Sequence, residues 1–333
     1  MSKYLIRTVA RTDYEQIHEL ASNAPLGMTN IPRHRHSLKA LIDHSERSFA
    51  REAMRPREEY YLFVLEDTTS KTLVGMCGIM AKISSKGPVF FYRMDKYHTQ
   101  YRTIPYLQPV TYTDAPTEIV GLYLTPKHRE AGLGSLLSRS RLFFIANEPQ
   151  RFTSTIIAQL QGFFDESRHC LFWEGIGRNF CDIDYAKLVD KLERNDIHID
   201  QLFPRFPIYL HMLPKNIQDI VGKVYKNTRP ALKMLEKEGF KLTNEVDIYD
   251  GGPKVEAQLD HIRSIRKSEV RSAVSSSKHA LSKKVFLVSN CKINFKATTS
   301  PIKKLGGNRI ALPPEVLKLL DVNPGDSIRV TAY

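Results

Sequence analysis

The sequence of 333 residues contains no apolar run as long as the roughly 20 residues that a membrane-spanning helix needs. Its first twelve residues, MSKYLIRTVART, include neither a long apolar segment nor a cleavage site typical of a secretory signal. We therefore predict that the protein has no membrane span and no export signal.

Cysteine is scarce and scattered. The four cysteines are Cys77, Cys170, Cys181 and Cys291. No CxxC pair and no Cys/His spacing of a zinc site occurs, and nothing in the spacing indicates a disulfide framework. The sequence therefore predicts neither a metal centre nor disulfides, and it favours a reducing cytoplasm.

Positive charge is in excess, because 49 Lys and Arg face 36 Asp and Glu for a net charge of +13. Such a charge attracts a polyanion: nucleic acid, an acidic lipid surface or a phosphate-rich cofactor. Residues 261–284 carry much of it, and we interpret this serine-rich stretch as a solvated helix end and a linker. The remaining composition, 42% hydrophobic and 26% charged, is typical of a globular protein with a core.

Apolar periodicity predicts the order strand–helix–helix–strand–strand–strand–helix–strand–helix–strand. Residues 60–67 and 72–83 are predicted to form a hairpin, and residues 84–116 an irregular, aromatic-rich segment. Residues 228–240 predict a helix with Pro230 in its first turn and Gly239 at its end. The pattern indicates an α+β fold with helices around a mixed sheet.

A glycine-rich motif, PKHREAGLGSLLSRSR at 126–141, lies between the apolar run TEIVGLYL and a predicted helix. Its centre is Arg129-x-x-Gly132-Leu133-Gly134. Such a segment is either a plain tight turn or an anion site, in which free amides and the helix dipole meet a phosphate and glycine allows close approach.

The order of elements, this motif after the fourth strand and a later helix ending in Gly-Phe resemble the GNAT-like superfamily of acyl-CoA N-acyltransferases. The resemblance implies that Arg129, Gly132, Leu133 and Gly134 bind the pyrophosphate of coenzyme A. It also implies that the preceding strand splays from its neighbour and receives the pantetheine arm and the acyl carbonyl.

A closer resemblance covers nearly the whole chain. The motifs DGGP and FW-x-x-x-G-x-x-F, together with several longer stretches, resemble the arginine N-succinyltransferase family and its arginine/ornithine forms. These stretches are LASNAPLGMTNIP (20–32), YLFVLED (61–67), 122–144, FFDESRHCLFWEGIGRNF (163–180), FPIYLHMLP (206–214), LEKEGF (235–240) and 246–268.

The family's reaction is implied for this chain. Succinyl-CoA would donate succinyl to the α-amine of L-arginine, giving N2-succinylarginine and free coenzyme A in arginine catabolism. Succinyl-CoA would be a co-substrate, no cofactor would stay bound, and no metal is needed because the thioester is already activated. The implied partners are these small molecules, and the family implies a homo- or hetero-oligomer.

The resemblance also implies site residues. The family's succinyl-CoA contact falls on Leu122, with Leu124 two residues further along the same face. Their side chains are predicted to be core, so a backbone amide would stabilise the oxyanion.

The proton donor departs from the family pattern. The family histidine before the LEKEGF helix is Tyr225 here, and the helix tyrosine of general N-acyltransferases is Leu235. A phenol can protonate a thiolate, so Tyr225 is the candidate catalytic acid. Alternatively, Tyr225 is a packing residue and the chain is a non-catalytic partner subunit of an active relative.

The acceptor side remains open in the sequence. Asp165, Glu166, Asp247 and Asp250 lie in the resembling stretches and are candidates to bind a guanidinium, and the spacing does not choose among them. Arg93 or His128 would meet the free carboxylate of succinyl. An acceptor such as ornithine or another amine remains an alternative.

We predict an N-acyltransferase domain at 1–270 with an insertion around 183–224, a basic linker at 271–283 and a small β-barrel-like module at 284–333. Residues 308–333 also resemble swapped-hairpin regulators of the AbrB type. That likeness leaves DNA binding as an alternative, which a single copy without two-fold symmetry disfavours.

Overall fold

The computed structural model describes residues 3–129, 132–194, 196–197, 204–276 and 281–333. Small parts of the predicted glycine motif (130–131), insertion (195 and 198–203) and linker (277–280) lie outside the described residues.

The ten predicted elements occur in the predicted order, with further strands and short helices between and after them. The helices are α1 Tyr14–Asn23, α2 Arg35–Ala50, α3 Leu133–Asn147, α4 Leu171–Gly175, α5 Tyr185–Glu193, α6 Lys215–Gln218, α7 Arg229–Glu238, α8 Arg263–Arg266 and α9 Pro314–Leu320. The strands are β1 Tyr4–Thr8, β2 Tyr60–Asp67, β3 Thr72–Met80, β4 Val89–His98, β5 Thr103–Tyr112, β6 Thr117–Leu124, β7 Thr155–Gln159, β8 Ile208–Tyr209, β9 Lys241–Asp247, β10 Pro253–Gln258, β11 Glu269–Ser275, β12 Val285–Asn290, β13 Lys296–Pro301, β14 Lys303–Leu305, β15 Arg309–Leu312 and β16 Ser327–Ala332.

The strands form one sheet in the order β14-β15-β11-β16-β12-β13-β1-β2-β3-β6-β7-β10-β9-β4-β5-β8. Most neighbours are antiparallel, whereas β6 and β7 run parallel, as do β11 and β15. This mixed sheet with helices on its faces confirms the predicted α+β fold.

The expectation of an irregular segment at 84–116 is wrong. Strands β4 and β5 form a hairpin paired over ten residues of each strand, and β4 also pairs with β9. Pro105 and Pro109 lie inside β5. Proline removes a ladder donor and argues against a central strand, but β5 tolerates both because its other neighbour, β8, pairs only at Tyr106 and Leu107.

Two apolar layers cover the central strands. On one face, Phe144 of α3 packs edge to face against Phe63 of β2, with ring centroids 5.2 Å apart. On the other face, Leu62 packs with Leu38 and Ile42 of α2, because successive strand residues point to opposite sides. Truncating Phe144 to alanine would therefore cost about 3–5 kcal/mol of stability, and it would loosen the helix that carries the glycine motif.

The C-terminal module has its own apolar core, which includes Ile310, Leu317 and Val330. It is nevertheless joined to the rest of the sheet, because β13 pairs with β1 at Ala297 and Ile6. The predicted linker is corrected in its first part, where residues 271–275 belong to β11 and pair with β15 and β16. Only Ala273 is fully buried on this strand, so its residues show little of the apolar periodicity that would reveal a strand. The boundary near residue 270 stays a prediction.

Candidate active site

A cleft opens in the sheet between β6 and β7. These parallel strands pair only at Thr117 with Ile156 and at Glu118 with Ile157, although β6 runs on to Leu124. Beyond Glu118 the two strands diverge, so backbone groups of both become available to a ligand placed between them.

A β-bulge lies in β6 inside this cleft. Met76 pairs with Tyr123 but Gly78 pairs with Val120, so Gly121 and Leu122 together oppose one residue of β3. Gly121 has a φ of +58°, and a Cβ there would come within 2.9 Å of the Ile31 side chain. A bulge releases backbone groups from the ladder, which is what an amide needs if it is to bond a carbonyl of a ligand.

Arg141 of α3 supports the bulge from below and is only 3% exposed. Its Nη1 donates to the carbonyl oxygen of Val120 over 3.1 Å and its Nη2 donates to Ser138 Oγ over 3.4 Å. Burial lowers the pKa of Arg141, and its Nε has no hydrogen-bond partner among the described residues. We did not predict this role; the available signal was an arginine within the apolar run of α3.

The glycine motif forms the start of α3. Gly132, at φ +77°, is the residue before the helix, and Leu133 and Gly134 begin its first turn. The first amides of a helix have no intrahelical acceptor and lie at the positive end of its dipole, so this turn can bind an anion. Leu133 is buried and anchors the turn, while the exposed Arg129 donates from Nε to the Leu124 carbonyl over 3.3 Å.

Tyr333, which follows β16, covers one side of this turn. Its hydroxyl donates to the Gly132 carbonyl over 2.5 Å. Arg139 of α3 lies 5.6 Å from the centre of the tyrosine ring and donates from Nη2 to the Ala332 carbonyl over 2.8 Å. Burial raises the pKa of the Tyr333 hydroxyl. The C-terminal module thus borders the glycine turn, a contact between distant segments that the sequence did not reveal.

Tyr225 lies in the turn before α7. Its half-buried ring packs edge to face on Phe163, four residues beyond the end of β7, with centroids 5.4 Å apart. Within the described ranges its hydroxyl makes no hydrogen bond, whereas its carbonyl accepts from the amides of Thr228 and Arg229. The phenol is therefore held by ring packing alone.

The three predicted leucine positions belong to one core cluster. Leu124 and Leu235 are 6% and 5% exposed, and the half-buried Leu122 packs against the same cluster. Val224, which precedes Tyr225, packs there as well. The core thereby brings the strand with the bulge and the segment that carries Tyr225 to the same side of the sheet.

A second opening lies beside the point where β6 and β7 separate. This cavity of about 240 Å³ is lined by Asn30 from the α1–α2 connection, Phe91 of β4, Glu118, Gln159 and Asp247. Glu118 is 3% exposed, and its Oε1 accepts a hydrogen bond from Gln159 Nε2 over 3.1 Å. Burial raises the pKa of Glu118 to about 7; Gln159 opposes that shift and the Asp247 charge adds to it.

Of the four predicted acids, only Asp247 lines this cavity. Asp250 instead links two chain segments, because its carboxylate accepts hydrogen bonds from the backbone amides of Gly162 and Gly252 over 2.9 and 2.8 Å. Burial, followed by the charge of Asp247, raises the pKa of Asp250 to about 8. Asp165 is bonded to His169 near the surface, and Glu166 is exposed. Glu118 was missed, although an acid inside the apolar run TEIVGLYL was a usable signal.

The two cations considered for succinyl have other partners. Arg93 donates from Nε to Asp95 over 2.8 Å, and His128 Nδ1 lies 2.8 Å from Thr125 Oγ1. Across the described residues, no group of three or more His, Cys, Asp or Glu could hold a metal ion, and all four cysteines are free. The same residues contain no helix that is long and apolar enough to span a bilayer.

Parallel strands that splay after two paired residues, a bulge in the first of them and a glycine turn opening the next helix define a GNAT-like acyltransferase fold. The family model of the arginine N-succinyltransferase beta subunit matches residues 4–264, and that of its C-terminal domain matches residues 266–332. The chain therefore belongs to the arginine N-succinyltransferase family.

Individual relatives agree with this assignment. The chain is 35% identical over 274 residues to the arginine N-succinyltransferase of Escherichia fergusonii, covering 80% of this chain and 79% of that protein. It is 31% identical to the Escherichia coli enzyme over 334 residues, or 98% and 96% of the two chains. The solved subunit AI of the arginine/ornithine succinyltransferase of Pseudomonas aeruginosa superposes with a TM-score of 0.89 at 30% identity, covering 100% of this chain and 99% of that one.

Proposed function

We propose that the protein transfers the succinyl group of succinyl-CoA to the α-amine of L-arginine. The observation that carries the proposal is the cleft between β6 and β7, with a bulge at Gly121 and a glycine turn at the start of α3. The names of relatives that match almost the whole length of the chain support the choice of donor and acceptor.

On the donor side, the amides of Gly132, Leu133 and Gly134 bind the pyrophosphate, and Arg129 adds positive charge at the rim. The pantetheine arm lies between the splayed strands along Leu122 and Leu124. A backbone amide at the bulge donates to the thioester carbonyl, and this bond strengthens as negative charge develops on the oxygen.

The reaction proceeds by addition and elimination. The neutral amine of arginine forms a bond to the thioester carbon, the carbonyl oxygen takes up the electron pair, and the amine proton passes to solvent. Collapse of this adduct breaks the carbon–sulfur bond, and the Tyr225 hydroxyl gives its proton to the leaving thiolate. The packing of Tyr225 on Phe163 supports this role, because it fixes the ring and leaves the hydroxyl for a ligand.

Tyr225 also favours a second candidate function, that of a non-catalytic partner subunit in a homo- or hetero-oligomer. The family pattern has a histidine where this chain has Tyr225, and a subunit without a competent acid would bind coenzyme A but turn over slowly. Transfer to ornithine is the corresponding alternative within enzymes, since the P. aeruginosa relative is an arginine/ornithine succinyltransferase.

Thiol release tests these proposals. Purified protein is mixed with succinyl-CoA and with L-arginine, L-ornithine or L-lysine, and free thiol is followed over time. Release that depends on arginine supports the main proposal. Release only with another amine changes the acceptor, and coenzyme A binding without release favours the partner subunit. Absence of coenzyme A binding would contradict the assignment of the cleft as a coenzyme A site and would favour nucleic-acid binding by the C-terminal module.

A further inference from the structure

The acidic cavity and the bulge lie along one strand. Glu118 is the last residue of β6 that pairs with β7, and Leu122 follows four residues later. At about 3.3 Å per residue, the two positions are about 13 Å apart, so Glu118 cannot touch an amine that attacks a thioester at the bulge. An extended arginine is about as long as two strand residues (~7 Å). A hydrogen bond at each of its ends spans the rest of the distance between Glu118 and Leu122.

The charges around Glu118 leave the cavity acidic. Asp247 of β9, Lys254 of β10 and the hydroxyl of Tyr60 on β2 act on it electrostatically. Lys254 is already bound by Glu245, to which the Tyr112 hydroxyl also donates. Because Lys254 is compensated by carboxylates other than Glu118 and Asp247, these two acids are complementary to a positively charged ligand.

The carboxylate of Glu118 also keeps capacity to bind. Gln159 bonds it through the side-chain amide and the backbone. A carboxylate offers about four lone-pair sites, so room remains for the paired N–H groups of a guanidinium. The cavity volume of about 240 Å³ suits an amino-acid side chain rather than a larger ligand.

We infer that this cavity is the acceptor site and that Glu118 binds the guanidinium of L-arginine at its inner end. The inference rests on the proposed function and deepens it, because it assigns acceptor choice to a residue that makes no contact with the reacting atoms. A neutral acceptor of the same shape is disfavoured, because it leaves Glu118 buried without a cation.

Acceptor binding then depends on pH. The pKa of Glu118 is raised to about 7 in the free protein, and a bound cation favours the ionised form and lowers it. Binding of arginine therefore releases a proton, and the KM for arginine falls as pH rises through about 7. The α-amine also titrates, but L-citrulline shares that amine and has a neutral urea group, so the arginine-to-citrulline ratio isolates Glu118.

The experiment measures kcat/KM for L-arginine and L-citrulline with succinyl-CoA. The wild-type protein should prefer arginine by about 10- to 100-fold, the range of one buried bond to a charged group. E118Q should bring the ratio close to one and remove its dependence on pH, and E118D, which keeps the charge, should retain part of it. E15Q is the matched control: Glu15 lies on α1, its side chain is 72% exposed and it does not line the cavity.

An unchanged ratio in E118Q would overturn the inference, and so would equal use of the two acceptors by the wild-type protein. Melting temperature and coenzyme A affinity of each variant report whether it folds. If the wild-type protein transfers succinyl to no acceptor, the proposed function has failed and calorimetry decides the site separately. In that case, the inference is supported if the wild-type protein binds arginine but not citrulline and E118Q loses arginine binding. It is overturned if the wild-type protein binds neither ligand, binds both equally, or binds arginine as tightly as E118Q does.

Discussion

The donor side and the acceptor side of the cleft are built in different ways. The proposed donor side comes from one segment, residues 121–147, and presents mainly backbone groups at the bulge and at the first turn of α3. The acceptor side is a cavity lined by side chains from the α1–α2 connection and from β4, β6, β7 and β9. If these assignments hold, donor binding depends on local conformation, whereas acceptor choice depends on how distant strands are placed.

The largest effect is expected from a substitution that disrupts coenzyme A binding alone. Gly134→Asp should weaken coenzyme A binding about 100-fold or more, because each charge-assisted bond contributes roughly 1.5–3 kcal/mol and a carboxylate would add repulsion. The fold should survive, since a Cβ at Gly134 meets nothing closer than Met234 at 3.9 Å and an acid in the first helical turn is favourable. Calorimetry with coenzyme A measures the loss, and Gly134→Ala, without the charge, should bind within a few-fold of wild type.

The features that could be predicted from the sequence are those set by neighbouring residues, and those that could not are set by contacts between distant strands. The glycine turn and the bounds of α7 were predictable, because each is specified by adjacent residues: Gly132 and Gly134 in one case, Pro230 and Gly239 in the other. The β4–β5 hairpin was not, since its two prolines are acceptable only because β5 pairs so little with β8.

The contacts of Glu118, Arg141 and Tyr333 also escaped prediction. Each depends on tertiary contacts between residues far apart in the sequence. Whether a lone acid or arginine in an apolar run is an ion pair, a support or a ligand site is decided by what packs over it, and composition does not carry that information.

The next largest effect is expected from a substitution that tests the proton transfer to the leaving thiolate. Tyr225→Phe should lower turnover by about 10²-fold if the hydroxyl protonates the thiolate, and it should leave both substrate affinities unchanged. The ring of phenylalanine keeps the packing on Phe163, so the fold is preserved. Rapid-quench measurement of the transfer step is the readout. Wild-type turnover in the variant would remove Tyr225 from the mechanism.

A companion variant sharpens this test. Tyr225→His introduces the residue that the resemblance to the family implies at this position, and its turnover should exceed that of Tyr225→Phe. If both variants are equally slow, histidine does not replace the phenol as proton donor at this position.

A smaller effect concerns the support beneath the bulge. Arg141→Met removes the buried hydrogen bond to the Val120 carbonyl, and losing a bond to a charged group costs about 1.5–3 kcal/mol. We expect a lower melting temperature and a fall in kcat of about tenfold, because the bulge amide would no longer be held in position. Coenzyme A affinity should change less than kcat. Ser138→Ala, which removes only the weaker contact of Arg141, serves as the control, and an equal loss of kcat in that variant would argue against the bulge as the cause.

The smallest expected effect comes from a substitution that tests whether the C-terminal module takes part in donor binding. Tyr333→Phe removes the hydroxyl that bonds the Gly132 carbonyl, a net contribution of about 0.5–1.5 kcal/mol, so the KM for succinyl-CoA should rise about two- to tenfold. Tyr101→Phe, at a tyrosine that is 86% exposed and remote in the sequence, should leave that KM unchanged. A rise in Tyr333→Phe alone would make the donor side, like the acceptor side, dependent on a contact between distant segments. An unchanged KM would instead confine donor recognition to residues 121–147, apart from Glu118, to which we assign acceptor choice.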